Sequence, residues 1–577
     1  MAESTHPTSL FEPGHNCWRV EPAERAAFLV DAEAYFSAFV AAAQQAKHSI
    51  LVTGWDFHSR TVLAWDEHSG KPVIELGGFL NELVKHRRSL QIHVLIWDYP
   101  MIFGLDREWA PIYGLGWKPR RRVHVRYDNT HPVGGSHHQK LVVVDDAVAF
   151  CGGIDLTCRR WDTCAHAADE PRRRAAGTPY PPFHDMMMAV EGPAAAALGD
   201  LVRERWTRAT GQRVLPPPRM KNSPWPKHVT AVLADVEVAI SRTEQQVEGR
   251  AAIREVEDLY IDMVNSARRC IYIENQYFTA DRIGKALLAR LAEDDGPEII
   301  VILRRLSHGW LEELTMESLR TRLIEKLRAA DRHGRLHVFY PFVQGLKEGT
   351  CIDVHSKMMI LDEDVVRIGS ANLANRSMGL DTECDLTIEA AGREAVREAI
   401  RTLRSNLLAE HLGAEPQAVA RAIESAGSIN GAINLLRKDE RTLQPLDDLP
   451  QVSDAVLDIA SVADPERPVD LAQLTQIFNS DVKPQESRPA WGKLAAFAAG
   501  ILAMPGTLAA TVFGKELQVA LNDPGKINYW LIGVVVALMV IATFAVRRWL
   551  NASVAQAGQT SSASSASAPR VGSVSVG

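Results

Sequence analysis

Short apolar segments alternate along this chain with amphipathic ones, which is the pattern expected of an α/β protein. The segments 48–57 and 91–100 are rich in β-branched residues and are bounded by polar or turn residues, so each predicts a strand. The segments 31–46 and 253–264 carry apolar residues near helical spacing and predict helices. Because the predicted strands are nearly all apolar, we expect largely buried sheets with helices on both faces.

The same order of segments occurs twice. Residues 48–57 correspond to 269–278, residues 91–100 to 298–307, and residues 122–132 to 335–345. A helical segment precedes the first strand of each copy, and this repetition indicates an internal duplication. The predicted fold class is therefore α/β, with two tandem α/β/α lobes related by a pseudo-twofold axis, plus C-terminal transmembrane helices. Such packing would bring equivalent residues of both lobes to one cleft.

The length of 577 residues requires several domains. The boundaries follow changes in composition. They predict an N-terminal tail (1–19), a first lobe (20–226), a second lobe (227–410), a helical appendix and linker (411–487), two membrane segments (488–550) and a disordered tail (551–577).

Two uncharged apolar runs, 494–513 and 529–546, are long enough or nearly long enough to cross a bilayer. Tyr529, Trp530 and the pair Arg547 and Arg548 flank the second run as interfacial residues do. The glycines and proline of the first run also permit a re-entrant or surface segment. The sequence predicts a multi-pass protein anchored in the membrane bilayer, with its catalytic lobes on the cytoplasmic side.

The charge and cysteine content exclude some classes of function. A formal net charge of −7 argues against a nucleic-acid partner, which favours a basic protein. Seven cysteines without a CxxC pair are typical of reduced thiols. Cys158, Cys164 and His166 lie close together in a loop but make a weak ligand set for zinc. We therefore predict no metal and no cofactor, and the sequence makes no prediction of oligomeric state.

The most specific signal is a doubled pattern, His-x-Lys-x4-Asp. Its two copies consist of His138, Lys140 and Asp145, and of His355, Lys357 and Asp362. Each copy lies on an apolar run that ends at a turn of small residues, Gly152-Gly153 or Gly369-Ser370. Two copies with the same spacing and flanking pattern predict a duplicated catalytic half-site.

Paired histidines and lysines suit attack at a phosphodiester. One neutral imidazole can attack phosphorus to form a phosphohistidine, and the other, protonated, can donate to the departing alkoxide. Lys140 and Lys357 can neutralise the negative charge that grows in the transition state. Ser370 and Asn372 follow the second motif and are predicted as further phosphate ligands.

Each catalytic imidazole needs a carboxylate on its far nitrogen to fix the tautomer. Glu383, downstream of the second motif, is the first candidate, and Asp185, downstream of the first motif, is the matching one. Asp145 and Asp362 stand at turns after apolar runs. We predict that they hold local backbone or salt-bridge geometry and do not contact phosphate.

At these residues the chain resembles the phospholipase D superfamily, whose signature is this doubled HKD motif. The likeness to its eukaryotic-type branch rests on GWDF, LIWDY, HHQKLVVVDD, GGIDL, YIENQYF and the run from His355 to Glu383, and it covers residues 20–445. The resemblance implies a metal-independent mechanism with His138 as nucleophile and His355 as general acid and then base. It also implies that Lys140, Lys357 and Asn372 bind the phosphate.

The first half departs from the family pattern. It has Gly153 and Asp155 where the second half has Ser370 and Asn372. An ionised Asp155 would repel phosphate, so we predict that it pairs with a lysine or arginine.

The leading hypothesis is a membrane-anchored phospholipase D. It would hydrolyse glycerophospholipids such as phosphatidylcholine to phosphatidic acid and a free head group, with transphosphatidylation as a side reaction. The alternative is a cardiolipin-synthase-like phosphatidyltransferase, in which a lipid alcohol replaces water. A nuclease and a non-catalytic membrane scaffold rank below both.

Overall fold

A computed structural model of the protein describes residues 9–66, 68–98, 108, 117–132, 134–247, 249–307, 313–450 and 464–467. The predicted membrane segments and the predicted disordered tail lie outside these residues, as do the first eight residues of the predicted N-terminal tail. Among the described helices, none is both long and apolar enough to cross a bilayer.

The first half of the chain alternates strands and helices in the predicted order. Its strands are β1 (Arg19–Val30), β2 (Ser49–Gly54), β3 (Val62–Trp65), β4 (Pro72–Glu75), β5 (Gln91–Trp97), β6 (Val123–Asp128), β7 (Leu141–Val144), β8 (Val148–Gly152), β9 (Arg174–Ala175), β10 (Thr178–Pro179), β11 (Phe183–His184) and β12 (Met186–Glu191). Its helices are α1 (Asp31–Ala43), α2 (Leu76–His86) and α3 (Pro193–Thr210). Helix α3 begins with proline at its first turn and ends at Gly211, whose φ of 69° closes the helix in the left-handed conformation.

The second half repeats this order. Its strands are β13 (Leu233–Glu244), β14 (Ile253–Arg254), β15 (Cys270–Asn275), β16 (Glu298–Ile302), β17 (Leu336–Val343), β18 (Asp353–Val354), β19 (Lys357–Leu361), β20 (Val365–Gly369), β21 (Glu383–Glu389) and β22 (Arg441–Pro445). Its helices are α4 (Glu255–Ser266), α5 (Asp281–Ala292), α6 (Ser318–Ala330), α7 (Asn375–Gly379), α8 (Glu394–Leu412), α9 (Pro416–Ala426) and α10 (Ile429–Leu436). A π-helical turn, Glu313–Glu317, leads into α6.

The described residues form a mixed α/β fold around one 16-stranded sheet. Reading outward from its centre, one side runs β1-β12-β8-β7-β2-β5-β6 and the other β13-β21-β20-β19-β15-β16-β17. These orders are equivalent strand by strand. The halves join through the antiparallel pair of β1 and β13, so the two sheets expected from the sequence are one continuous sheet.

The core is shared between the halves. Along β12, Met186, Met188 and Val190 face a central cluster that α3 and α8 cover, while Met187 and Ala189 face the opposite side. This alternation follows the two-residue period of a strand that is buried on both faces. Separate apolar clusters pack α1 and α2 on the first half and α4, α5 and α6 on the second.

The predicted appendix is part of the same body. Helices α9 and α10 pack near α8, and β22 adds an edge strand beside β17. Further along the predicted linker, the Asp464 carboxylate accepts a hydrogen bond from the Thr279 hydroxyl at 2.6 Å and from the Asn375 N–H at 3.0 Å. This part of the linker is therefore anchored to the second half.

Asp145 and Asp362, the aspartates of the two motifs, hold the turns that follow β7 and β19. Asp145 accepts the backbone N–H groups of Lys47, His48 and Ser49 at 2.7–2.8 Å, with φ at 51°. Asp362 accepts three equivalent N–H groups, those of residues 268–270, at 2.7–3.0 Å, with φ at 53°. Each carboxylate thus ties the loop after its central strand to the start of β2 or β15.

We predict that Asp145→Ala and Asp362→Ala each lower the free energy of unfolding by about 3 kcal/mol, because three buried N–H groups lose a charged acceptor. Denaturation monitored by circular dichroism measures this loss. Asp364→Ala is the matched control. Its carboxylate is partly exposed and pairs with Arg397 at the surface, so the variant should unfold near the wild-type midpoint. Equal stability of all three variants would contradict this role.

Candidate active site

The motif histidines stand just before two central strands, where backbone bridges join the halves. The N–H of His138 donates to the carbonyl of Thr382 at 2.9 Å. The N–H of His355 donates to the carbonyl of His184 at 2.8 Å, beside the parallel pair of β11 and β18. His138 is thereby placed next to Thr382, which precedes Glu383, and His355 is placed next to His184, which precedes Asp185.

The result is a crossed pair of imidazole–carboxylate contacts. His138 Nδ1 lies 3.0 Å from Glu383 Oε2, and His355 Nδ1 lies 2.6 Å from Asp185 Oδ2. The sequence placed each carboxylate after the motif of its own half, whereas in the structure each serves the histidine of the other half. With Nδ1 engaged, Nε2 is the nitrogen of each ring that can face a substrate.

Burial sets the proton content of these pairs. It lowers the pKa of His138 and of His355 well below the usual range, and the positive charges of Lys140 and Lys357 lower both further. Burial also raises the pKa of Asp185 to about 7, and burial together with Asp381 raises that of Glu383 to about 8. Burial therefore disfavours the charged form of each histidine and of each carboxylate in the two pairs.

The two lysines are buried but differently partnered. Lys140 Nζ lies 3.3 Å from Asp155 Oδ2, the ion pair expected for Asp155. Lys357 Nζ donates to Gln276 Oε1 at 3.0 Å and lies 3.0 Å from His355 Nδ1. Burial lowers the pKa of Lys357 to about 7. The first lysine is neutralised by its partner, and the second is held by a neutral amide.

Ser370 has a different role from the one that its position in the sequence predicts. Its hydroxyl was predicted to bind phosphate, but it donates to Glu383 Oε2 at 2.5 Å and accepts from the Cys384 N–H at 3.0 Å. Because a hydroxyl has a single proton, this contact makes Ser370 a support for Glu383. In the first half, a Cβ on Gly153 would lie 2.1 Å from Asp185 Oδ1, so only glycine fits there.

Asn372 and Asp155 occupy equivalent positions with different surroundings. The Asn372 side chain is 5% exposed, and its Oδ1 has no hydrogen-bond partner among the described residues. Asp155 Oδ1 instead accepts the Trp55 N–H at 2.9 Å while Oδ2 faces Lys140. The Asn372 carbonyl oxygen is thus unpaired within the described residues, whereas the carboxylate of Asp155 is already used.

The structure also gathers a buried cluster that sequence reasoning missed. His166 Nε2 and His184 Nδ1 both lie 2.8–2.9 Å from Glu410 Oε1, and Asp31 approaches the same nitrogens at 3.5 and 3.2 Å. Of the three loop residues considered for zinc, His166 alone belongs to this set. No spacing signal could have found the set, because its members come from distant elements.

A second layer of carboxylates surrounds the cluster. His166 Nδ1 lies 2.9 Å from Asp162 Oδ2, and His184 Nε2 lies 2.8 Å from Glu274 Oε2. Glu274 Oε1 also lies 3.0 Å from His411 Nε2. Without a metal, the negative charges raise the pKa of His166 to about 9 and that of His184 well above its usual value.

The donor set fits a divalent cation. One ligand atom from each of Asp31, His166, His184 and Glu410 lies within 4.8 Å of the others. The second nitrogen of each ring meets a carboxylate, as in metal sites where an outer shell orients the ligands. A bound cation would balance the carboxylates in place of two imidazole protons.

Two family models match this chain. One, described as "Phospholipase D", matches residues 121–222, and another, described as "Cardiolipin synthase, PLD-like domain", matches residues 260–406. Each match contains one of the two histidine–lysine motifs.

Curated plant proteins are similar over most of the chain. Phospholipase D alpha 1 of Carica papaya is 25% identical over 545 residues, which cover 70% of this chain and 64% of the relative. The same enzyme of Arabidopsis thaliana is 25% identical over 519 residues, covering 64% of this chain and 63% of the relative. The chain thus spans just under two thirds of the length of these relatives. A solved structure, phosphatidylserine synthase of Haemophilus influenzae, is 15% identical with a TM-score of 0.47, covering 80% of this chain and 96% of that one.

We predict that chelator-treated protein gains several degrees in melting temperature when Ca²⁺, Mn²⁺ or Zn²⁺ is added, because a ligand that binds the folded state alone stabilises it. Differential scanning fluorimetry measures the shift. Asp31→Asn should reduce it by removing one charged ligand. A melting temperature that none of the three cations changes would mean that protonated histidines hold the cluster together.

Proposed function

The chain belongs to the phospholipase D superfamily, and from this premise we propose that it is a phosphodiesterase that cleaves glycerophospholipids to phosphatidic acid and a free head group. Membership of the superfamily supports a phosphodiesterase or phosphotransferase. The observation that carries the proposed two-histidine mechanism is the crossed contact of His138 with Glu383 and of His355 with Asp185. We attribute the equivalent strand order of the halves to a pseudo-twofold axis between two lobes that share this site.

In the first step, Nε2 of His138 attacks phosphorus and forms a P–N bond as the bond to the head-group oxygen breaks. Glu383 holds the far nitrogen of His138 and stabilises the positive charge that the ring acquires. His355, held by Asp185 and carrying a proton on Nε2, donates that proton to the departing alkoxide, which is a poor leaving group without it. The product of this step is a phosphatidyl-histidine.

In the second step, His355 takes a proton from water, and the resulting hydroxide attacks phosphorus on the side that the head group left. The P–N bond breaks, its electron pair returns to His138, and phosphatidic acid is released. Lys357 and the side-chain amide N–H of Asn372 would bind the phosphoryl oxygens throughout. Asp155 pairs with Lys140 and so reduces the positive charge that the first half offers.

The substrate class is proposed from several observations together. The plant relatives are named phospholipase D, and the net charge of −7 disfavours a polyanionic nucleic acid. The apolar runs 494–513 and 529–546 would hold the cleft at a bilayer surface, with the catalytic lobes on the cytoplasmic side. Phosphatidylcholine is the first substrate to test.

A phosphatidyltransferase is the second candidate. The family model over residues 260–406 carries the name of cardiolipin synthase, and the same phosphohistidine can be opened by a lipid alcohol in place of water. The two candidates differ only in the acceptor. Mass spectrometry of the products from labelled phosphatidylcholine, phosphatidylethanolamine and phosphatidylglycerol, with and without ethanol, distinguishes them.

We predict that His138→Asn and His355→Asn each lower turnover of the best lipid by at least about 10³-fold, because each step needs both rings. Melting temperatures near that of the wild type would show that the fold is intact. His228→Asn is a matched control, because His228 contacts Ser37 and neither residue belongs to a motif. Substantial activity in both motif variants would contradict the two-histidine mechanism.

We also predict a pH dependence that follows Lys357. Since its pKa is lowered to about 7, the amine is charged below pH 7 and loses its charge as the pH rises through this value. We expect kcat/KM to fall above about pH 7, and the limb of kcat to lie at higher pH because a bound phosphate favours the charged amine. In Lys357→Arg the charge persists, so any remaining activity should lack this alkaline limb. An unchanged limb would exclude Lys357 as its source.

A further inference from the structure

The two half-sites offer unequal positive charge to a phosphate. Lys140 is neutralised by Asp155 at 3.3 Å, and Lys357 is held by the neutral amide of Gln276. A phosphoryl group that gains negative charge needs a cation that keeps its own charge at the working pH. Neither lysine fully meets that need, so a further permanent cation would complete the cleft.

Arg160 is such a cation. It lies in the loop after β8, at the position that corresponds to Ser377 when Gly152 is matched with Gly369. In the second half, the Ser377 hydroxyl is within hydrogen-bonding reach of Glu383, the partner of His138. The correspondence between the halves predicts that Arg160 lies near Asp185, the partner of His355.

The contacts of Arg160 agree with this placement. Its guanidinium carbon lies 5.0 Å from the centre of the Phe183 ring, and that ring lies 5.1 Å from the centre of the His355 imidazole. The positive charge of Arg160 lowers the pKa of His355, by more than that of Lys140 does. The guanidinium is therefore within electrostatic reach of the general acid.

The guanidinium is also poorly satisfied. Among the described residues no carboxylate lies within ion-pair distance of it, and Nη1 donates only a long hydrogen bond, at 3.3 Å, to the carbonyl of Arg159. Its Nε is buried and has no hydrogen-bond partner in the described part of the chain. A buried N–H without an acceptor costs free energy that an anionic ligand would recover.

We propose that Arg160 is a substrate-binding residue that donates to an anionic phosphoryl oxygen on the His355 side of the cleft. The inference rests on the proposed function and adds to the predicted ligands a residue outside both motifs. Arginine suits the position because it cannot lose its proton and because its planar fork can engage two oxygens at once. Phe183 lies 5.0 Å from the guanidinium carbon as a cation–π partner.

The test measures anion binding and turnover separately. Tungstate serves as the phosphoryl probe, and its binding to full-length protein is measured by calorimetry without lipid. We expect Arg160→Gln to weaken tungstate binding and to lower kcat/KM, each by about 10- to 100-fold, the value of a charged hydrogen bond. Arg160→Lys should give values between those of the wild type and of Arg160→Gln, because a single ammonium charge replaces the planar guanidinium. Arg159→Gln removes an adjacent cation and should remain within about twofold of the wild type on both measures.

The outcomes separate the role of Arg160 from the proposed reaction. If Arg160→Gln binds tungstate within about twofold of the wild type, the proposal is wrong. It is equally wrong if the variant loses activity on phosphatidylserine alone while its activity on phosphatidylcholine is kept, since Arg160 would then recognise an anionic head group. A wild-type protein that binds tungstate but turns over no phospholipid would refute the proposed function while still allowing Arg160 to be tested.

Discussion

The architecture of this protein depends on two imidazole–carboxylate contacts that cross from one half of the chain to the other. His138 and Glu383 are 245 positions apart in sequence, and His355 and Asp185 are 170 positions apart. Neither half contains a complete pair by itself. The shared sheet, the central core under α3 and α8, and the backbone bridges at Thr382 and His184 all fix the relative position of the halves.

Burial determines which charged forms of the contacting groups are favoured. Among these buried residues, the charged forms of histidine, lysine and carboxylate are all penalised. A bound phosphate brings a negative charge that stabilises the charged forms of the buried lysines. The differences between the halves then have a role: Asp155 pairs with Lys140, Ser370 donates to Glu383, and the buried Nε of Arg160 has no hydrogen-bond partner among the described residues. The duplication supplies the two imidazole–carboxylate pairs, and the differences between the halves give the two histidines different roles in the reaction.

Much of this could be predicted from the sequence. Short β-branched apolar runs located β2, β5, β15 and β16, and apolar residues near helical spacing located α1 and α4, because local burial dictates those patterns. The doubled motif and the carboxylates Asp185 and Glu383 were found from spacing. The crossing of the pairs was not, since it is set by the junction of β1 with β13, a contact between distant residues. Ser370 was misassigned because sequence does not show where a hydroxyl proton points.

The buried cluster of Asp31, His166, His184 and Glu410 was hidden for a related reason. Its members lie at the start of α1, in the loop after β8, in β11 and in α8, so no short motif contains them. His184 adjoins Asp185 and its carbonyl accepts the N–H of His355, so the cluster and the active site share one backbone segment. A metal ion or a network of ion pairs at this cluster would hold in place the backbone next to His355, the proposed general acid.

Imidazole ¹⁵N and ¹H resonances of histidine-labelled protein test the crossed pairing most directly. Glu383→Gln should shift the Nδ1 signals of His138 and leave those of His355 in place, and Asp185→Asn should do the reverse. If each substitution instead perturbs the histidine of its own half, the two halves do not complete one another's site, and the crossed pairing is wrong.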